Sequence, residues 1–216
     1  RGNVGGLRFS GDNATFSNNV FLQGNNAMLI DGGSNITLVN NTFYRTDTAI
    51  WFTSFSNDIY INENIFDNMN SVWLGVDVIN VIFSNNVISN CSGNSATWIS
   101  GGNISVYDNE FKHCGGSCIF ITGNQYDHRD ILIYDNYFHN YSGSGISLGT
   151  HNPILENIKI FNNTFSNGGS GVTANSFGTY AKLPKNVDIS FNILNNTNYG
   201  LQLTLVGGSD FLVHNN

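Results

Sequence analysis

Apolar and polar positions alternate along this chain in short runs. Asn35-Ile36-Thr37-Leu38 and Asp130-Ile131-Leu132-Ile133 are typical. A period of two is the signature of a strand with one buried face. No stretch sustains a 3.6-residue period, so helices are expected to be absent or confined to one end. The runs come in sets. A run such as Asn35-Ile36-Thr37-Leu38 (strand B) is followed by Thr42-Phe43-Tyr44 or Tyr137-Phe138-His139 (strand C). Next comes Ala49-Ile50-Trp51-Phe52 or Gly145-Ile146-Ser147-Leu148 (strand A).

The sets repeat. The pattern Asn/Asp-apolar-x-apolar-x-x-Asn begins at Asn13, Asn35, Asp58, Asn80, Asn103, Asp130, Asn157, Asn186 and Asp210. Six residues later each copy carries an asparagine: Asn19, Asn41, Asn64, Asn86, Asn109, Asn136, Asn163, Asn192 and Asn216. The period is 22 or 23 residues early, 27 to 29 late, and 24 at the end. One copy cannot bury its own apolar face, whereas stacked copies can, at roughly 4.8 Å per rung. The expected fold is therefore all-β: a single-stranded right-handed parallel β-helix of about nine rungs, spanning 1–216 as one domain. Register then predicts columns. Phe21, Phe43, Phe66, Ile88, Phe111, Phe138, Phe165 and Leu194 should stack inside. The invariant asparagines should form a ladder at the corner between strands B and C, where a left-handed backbone is expected.

Val39-Asn40-Asn41-Thr42-Phe43, Tyr107-Asp108-Asn109-Glu110-Phe111 and Phe161-Asn162-Asn163-Thr164-Phe165 resemble the coils of the pectate-lyase-like superfamily of right-handed β-helices. The resemblance covers the whole chain and is specific for fold rather than activity. It implies polysaccharide lyases, hydrolases, epimerases, phage tailspikes or adhesins as the range of functions, with substrate lying along the sheet formed by strand A. Hydrolases of that fold carry carboxylates on this sheet, and lyases carry basic groups or a calcium site. Here the sheet offers only Asp31 and Arg8, a departure from both patterns.

On strand A the outward column reads Arg8, Leu29, Trp51, Trp73, Trp98, Phe120, Ser147, Thr173 and Gln202. Trp51, Trp73, Trp98 and Phe120 would make an aromatic stripe about 15 Å long. Such a stripe suits stacking on a linear glycan, contact with another protein, or packing along the sheet itself.

Composition narrows the partners. The net charge is −7 with only eight Lys and Arg, which disfavours nucleic acid and anionic membrane surfaces. No apolar run approaches the ~18 residues of a membrane span. Eight Asn-x-Ser/Thr sequons point weakly to an extracellular or cell-surface setting. The chain opens inside a strand A and stops at a ladder asparagine. That suggests either a piece of a longer β-helix, or copies that associate end to end or as a trimer.

Candidate chemistry gathers in the longer rungs. Glu110, Lys112, His113, Asp127, His128, Arg129, His139 and His151 supply acids, bases and cations. Of these, Asp127, His128, Arg129, His151, Lys112 and His139 are the catalytic candidates, for β-elimination or acid–base hydrolysis of an acidic glycan. Crowding of polar residues at polar turns accounts for them equally well. No cofactor and no metal site is expected, because His113, Cys114 and Cys118 leave a ligand missing. Cys91 and Cys114 each lie five residues past a ladder asparagine, so a disulfide between adjacent rungs is expected, with Cys114–Cys118 as the alternative. The polysaccharide reading competes with a non-enzymatic structural or adhesive module, such as a tailspike shaft or filament subunit.

Overall fold

A computed structural model describes residues 6–122, 128–150, 155–176, 184–204 and 210–216. Among these residues every regular element is a strand, and every pairing between strands is parallel. Each coil pairs with the coil above and below. Gly33–Val39 pairs with Ala14–Ser17 on one side and Ser56–Asn62 on the other. The nine motifs give about eight full turns, because the last motif ends the chain at Asn216. Among the described residues no helix is long and apolar enough to cross a membrane.

The corners are built by left-handed residues spaced five apart. Asn13, Asn18 and Gln23 take φ of 56°, 58° and 58°; Asn157, Asn162 and Asn167 repeat the set at 57°, 55° and 51°. Each coil therefore turns once before strand B, once between B and C, and once after C. Most of these sites are Asn or Asp, whose short polar side chains tolerate this region best. The turn between B and C corrects the expectation for the ladder. The left-handed residue is the one before the invariant asparagine: Asn40, Glu63, Asp108 and Phe191 rather than Asn41, Asn64, Asn109 and Asn192. At several of the other corners strand pairing runs on through the left-handed residue. Strand C continues unbroken into strand A in Thr42–Phe52 and Tyr137–Thr150, and strand A into strand B in Ser71–Ser84 and Ser95–Tyr107.

The invariant asparagine is kept for its amide. Asn64 Oδ1 accepts from the Asn41 backbone N–H at 2.9 Å and from Asn41 Nδ2 at 3.0 Å. Asn64 Nδ2 donates to Leu38 O, Asn62 O and Asn86 Oδ1 at 3.0, 2.9 and 3.1 Å. Asn109, Asn136, Asn163 and Asn192 repeat the pattern. Buried amides are thus satisfied within their own column, next to the left-handed residues that turn the chain. Beside the ladder, Phe21, Phe43 and Phe66 stack at centroid spacings of 4.8 and 4.9 Å, and Phe111, Phe138 and Phe165 at 4.9 and 4.7 Å. Ile88 interrupts the stack, and Phe83 from strand B meets Phe66 at 6.0 Å instead.

Met69, Cys91, Cys114 and Tyr141 form another inner column, as shown by the backbone bonds Ser92 N–H to Met69 O, Gly115 N–H to Cys91 O and Ser142 N–H to Cys114 O. Cys91, Cys114 and Cys118 are buried free thiols, not the expected disulfide. The reason is geometric. In-register parallel neighbours hold their Cβ atoms about one rung, roughly 4.8 Å, apart, beyond the ~3.8 Å typical of a bridge. The Cys114 thiol beside it, together with burial, pushes the Cys91 thiol up. The Cys118 thiol raises Cys114, offset in part by Cys91.

Candidate glycan-facing surface

Strand A carries the outward column in the expected register: Arg8–Leu29–Trp51–Trp73–Trp98–Phe120–Ser147–Thr173–Gln202, each paired with the next. Alternation fixes this because a one-residue slip would drive the buried Ile50, Leu74 and Ile99 outward. Trp51 and Trp73 lie 5.5 Å apart with planes 13° apart, and Trp73 and Trp98 5.5 Å apart at 26°. Phe120 turns edge-on to Trp98, at 4.8 Å and 84°. Its ring lies against Gly149, where an added Cβ would come within 2.5 Å of the ring. The indoles therefore cover much of one another's faces. They form a half-buried ridge that offers its rim, rather than the open flat faces the stripe suggests in sequence. The Trp73 Nε1–H is buried without a hydrogen-bond partner.

Two open hollows run beside the ridge along the corner between strands C and A. One, of about 500 Å³, is lined by Trp73 and Trp98 together with Asp47, Thr48, Asn70 and Asn94, among others. The other, of about 570 Å³, shares Asp47, Asn70 and Ser92 and adds Arg45 and Asn68. The shared residues form a chain across three rungs. Ser92 Oγ–H donates to Asn70 Oδ1 at 2.7 Å, and Asn70 Nδ2 donates to Asp47 Oδ1 at 3.3 Å. None of these polar residues stands out in sequence. Their shared offset from the ladder asparagine is the signal that would have found them.

Lower on strand A, Arg8 pairs with Asp31, which also accepts from Thr53 Oγ1 at 2.5 Å. The Thr53 hydroxyl first, and then Arg8, lower the Asp31 carboxyl below its usual range.

Among the described residues, the catalytic candidates lie on other sides of the coil. Lys112 and His139 are register partners on strand C, joined by Glu110. His139 Nε2–H donates to Glu110 Oε1 at 2.9 Å, and Lys112 Nζ lies 3.4 Å from Glu110 Oε2. The bond from His139 and then Lys112 lower the Glu110 carboxyl. Asn140 Nδ2 donates to His139 Nδ1 at 3.1 Å, so both imidazole nitrogens have a partner in this arrangement. The Tyr137 ring stacks on His139 at 4.5 Å.

Arg129 stands at the start of strand B, 3.5 Å from Glu156. Strand B and the asparagine corner separate it from Lys112 and His139. The backbone of His128 is in register with Leu155, while Asp127 and His151 lie outside the described residues. Among the described residues no group of three His, Cys, Asp or Glu could hold a metal.

A second aromatic column is not anticipated by the sequence reading. Tyr107, Tyr134 and Phe161 stack on the outer face of strand B at 5.0 Å spacing. Each stands two residues before a ladder asparagine.

Residues 71–192, more than half of the chain, match the family described as "Right handed beta helix region". Among curated proteins, none matches the chain significantly. Among solved structures, the chain is similar to a double mutant of the tailspike protein of E. coli bacteriophage HK620 in complex with a pentasaccharide. The TM-score is 0.56 at 11% identity, covering 96% of this chain and 42% of that one. A single mutant of the same tailspike, also with pentasaccharide, gives 0.51 at 11% identity, covering 95% and 41%. The chain thus spans about two fifths of the length of these tailspikes. The A-module of the mannuronan C-5 epimerase AlgE4 of Azotobacter vinelandii aligns over 97% of this chain and 91% of its own, at 12% identity and a TM-score of 0.35.

Proposed function

The chain belongs to the right-handed β-helix family, within the pectate-lyase-like superfamily, and from that premise we propose that it binds an extended polysaccharide along its strand-A face. One observation carries the reading: the Trp51–Trp73–Trp98 ridge borders an open polar hollow that runs the same way along the coil. Indole rims contact sugar C–H surfaces, while Asp47, Asn70, Ser92 and Asn94 offer donors and acceptors to hydroxyls. A tailspike of the same fold holds a pentasaccharide, which supports a glycan as the ligand class. The natural setting for such a ligand is extracellular or at a cell surface.

Binding, rather than turnover, is the core of the proposal. Both His139 ring nitrogens have a partner in this arrangement, and Arg129 is placed on a different side of the coil from Lys112. Affinity electrophoresis in polysaccharide-loaded gels tests the reading. The wild-type chain should be retarded, and Trp73→Ala should weaken retardation about tenfold, the loss of one aromatic contact of about 1.4 kcal/mol. Full retardation by the variant would remove the ridge from the site. A smaller oligomer with unchanged retardation would make the ridge a seam between copies. The same gels, read for new reducing ends and for the ultraviolet absorbance of unsaturated sugars, test the lyase or hydrolase chemistry expected from Asp127, His128, Arg129 and His151, and proton NMR of the recovered polysaccharide tests the epimerase.

A further inference from the structure

We infer that the glycan bound along the strand-A face is neutral rather than acidic. This rests on the reading of that face as a polysaccharide surface and names its ligand class. The hollow against Trp73 and Trp98 has one charged lining residue, Asp47. A uronate carboxylate placed there would meet another carboxylate with no cation between them. The adjoining hollow adds Arg45 but shares Asp47, and Arg45 itself sits over the Tyr44 ring at 5.0 Å.

Of the other described cations, three are committed beside an acid and two stand on strand B, away from this face. Arg8 pairs with Asp31, Lys112 lies 3.4 Å from Glu110, and Arg129 lies 3.5 Å from Glu156. Lys159 shares a hollow with Asp188 and Asp210, and Lys185 is the register partner of Glu156. The whole chain carries a net charge of −7, so its field repels a polyanion before contact.

Hydroxyls suit the same residues. Asp47 Oδ1 accepts from Asn70, which leaves its second oxygen as an acceptor; Asn70 gives one amide proton to Asp47 and keeps another. The Ser92–Asn70–Asp47 chain runs along the coil axis, so donors and acceptors recur from rung to rung beside the indole rims.

Affinity electrophoresis with a split panel decides the matter. Galactomannan, xyloglucan and dextran serve as neutral probes, and polygalacturonate and alginate as acidic ones, each at low and at high salt. The expected result is retardation by a neutral probe that salt barely changes, and none by the acidic probes. Asp47→Lys, at an exposed position, should lose about tenfold in the neutral gel, as for one charge-assisted hydrogen bond. It should also gain retardation by polygalacturonate at low salt only. Circular dichroism of the variant confirms that it is folded. Retardation of the wild type by an acidic probe, released by salt, overturns the inference and leaves the glycan reading standing. Retardation by no probe overturns that reading, and the inference with it.

Discussion

Phe191 occupies a corner where nearly every other rung has a short polar residue or a charged one. Its φ is 54°, and its side chain is 55% exposed. A left-handed backbone costs a bulky L-residue roughly 1–2 kcal/mol, and Asn lowers that cost by bonding locally. The ring gives little back, since it makes one edge contact with His214 at 5.5 Å. Phe191→Asn should therefore stabilise the chain by about 1 kcal/mol in urea denaturation; a loss of stability would mean that the exposed ring does more packing than its surface suggests. The cysteines make a second statement at this scale. Cys91, Cys114 and Cys118 are buried, and Cys91 and Cys114 hold their protons more tightly than free thiols. Thiolate is the reactive form, so all three should resist thiol reagents in the native state, and all three should titrate once the unreduced protein is denatured. Recovery of one thiol would show that two of the three are bridged, Cys91–Cys114 between coils or Cys114–Cys118 within one.

At the scale of the element, the coil is a ruler. Position relative to the ladder asparagine sets register on strands B and C, but the step to strand A varies from nine residues (Asn64 to Trp73) to twelve (Asn86 to Trp98), so the nine-member column from Arg8 to Gln202 was legible from the alternation within each strand A. The place of the left-handed residue was harder to read, because Asn40-Asn41 and Asn162-Asn163 offer an asparagine at both sites. Glu63-Asn64 and Phe191-Asn192 hold the answer: where the two differ, the second is always Asn, because the buried column needs an amide while the turn tolerates others. Ring orientation was not legible at all, since alternation tells which way a tryptophan points and not whether it lies against its neighbour. Whether the ionisable residues converge was not legible for a similar reason. Lys112 and Arg129 are close in rung but sit on different strands.

On strand C, the Glu110 carboxyl is lowered by His139 and Lys112. A carboxyl held lower when folded than when unfolded stabilises the fold above its unfolded value, and that gain disappears as pH falls through the folded value. Thermal stability of the wild type should thus drop below about pH 4.3, the ordinary glutamate range, while Glu110→Gln should show a shallower drop there. Parallel curves for the two proteins would mean that the cluster adds nothing to folding.

The whole molecule is a column whose sides differ. Its interior is satisfied by stacked phenylalanines and asparagine amides, and one outer side carries an indole ridge beside a hollow with a single acidic lining residue. Rung-to-rung repetition suits a ligand that is itself a repeating chain, and the charge layout favours one made of hydroxyls. The three tryptophans of the sequence, Trp51, Trp73 and Trp98, all belong to that ridge. Intrinsic tryptophan emission therefore reports on this face without a label. Titration of the native chain with oligosaccharides of a neutral polysaccharide that retards it should give a saturable change in tryptophan emission. The midpoint should match the affinity from electrophoresis, and longer oligomers should bind more tightly as they span more rungs. Binding to the same oligosaccharides with no change in emission would place the glycan on another side of the coil and contradict the account.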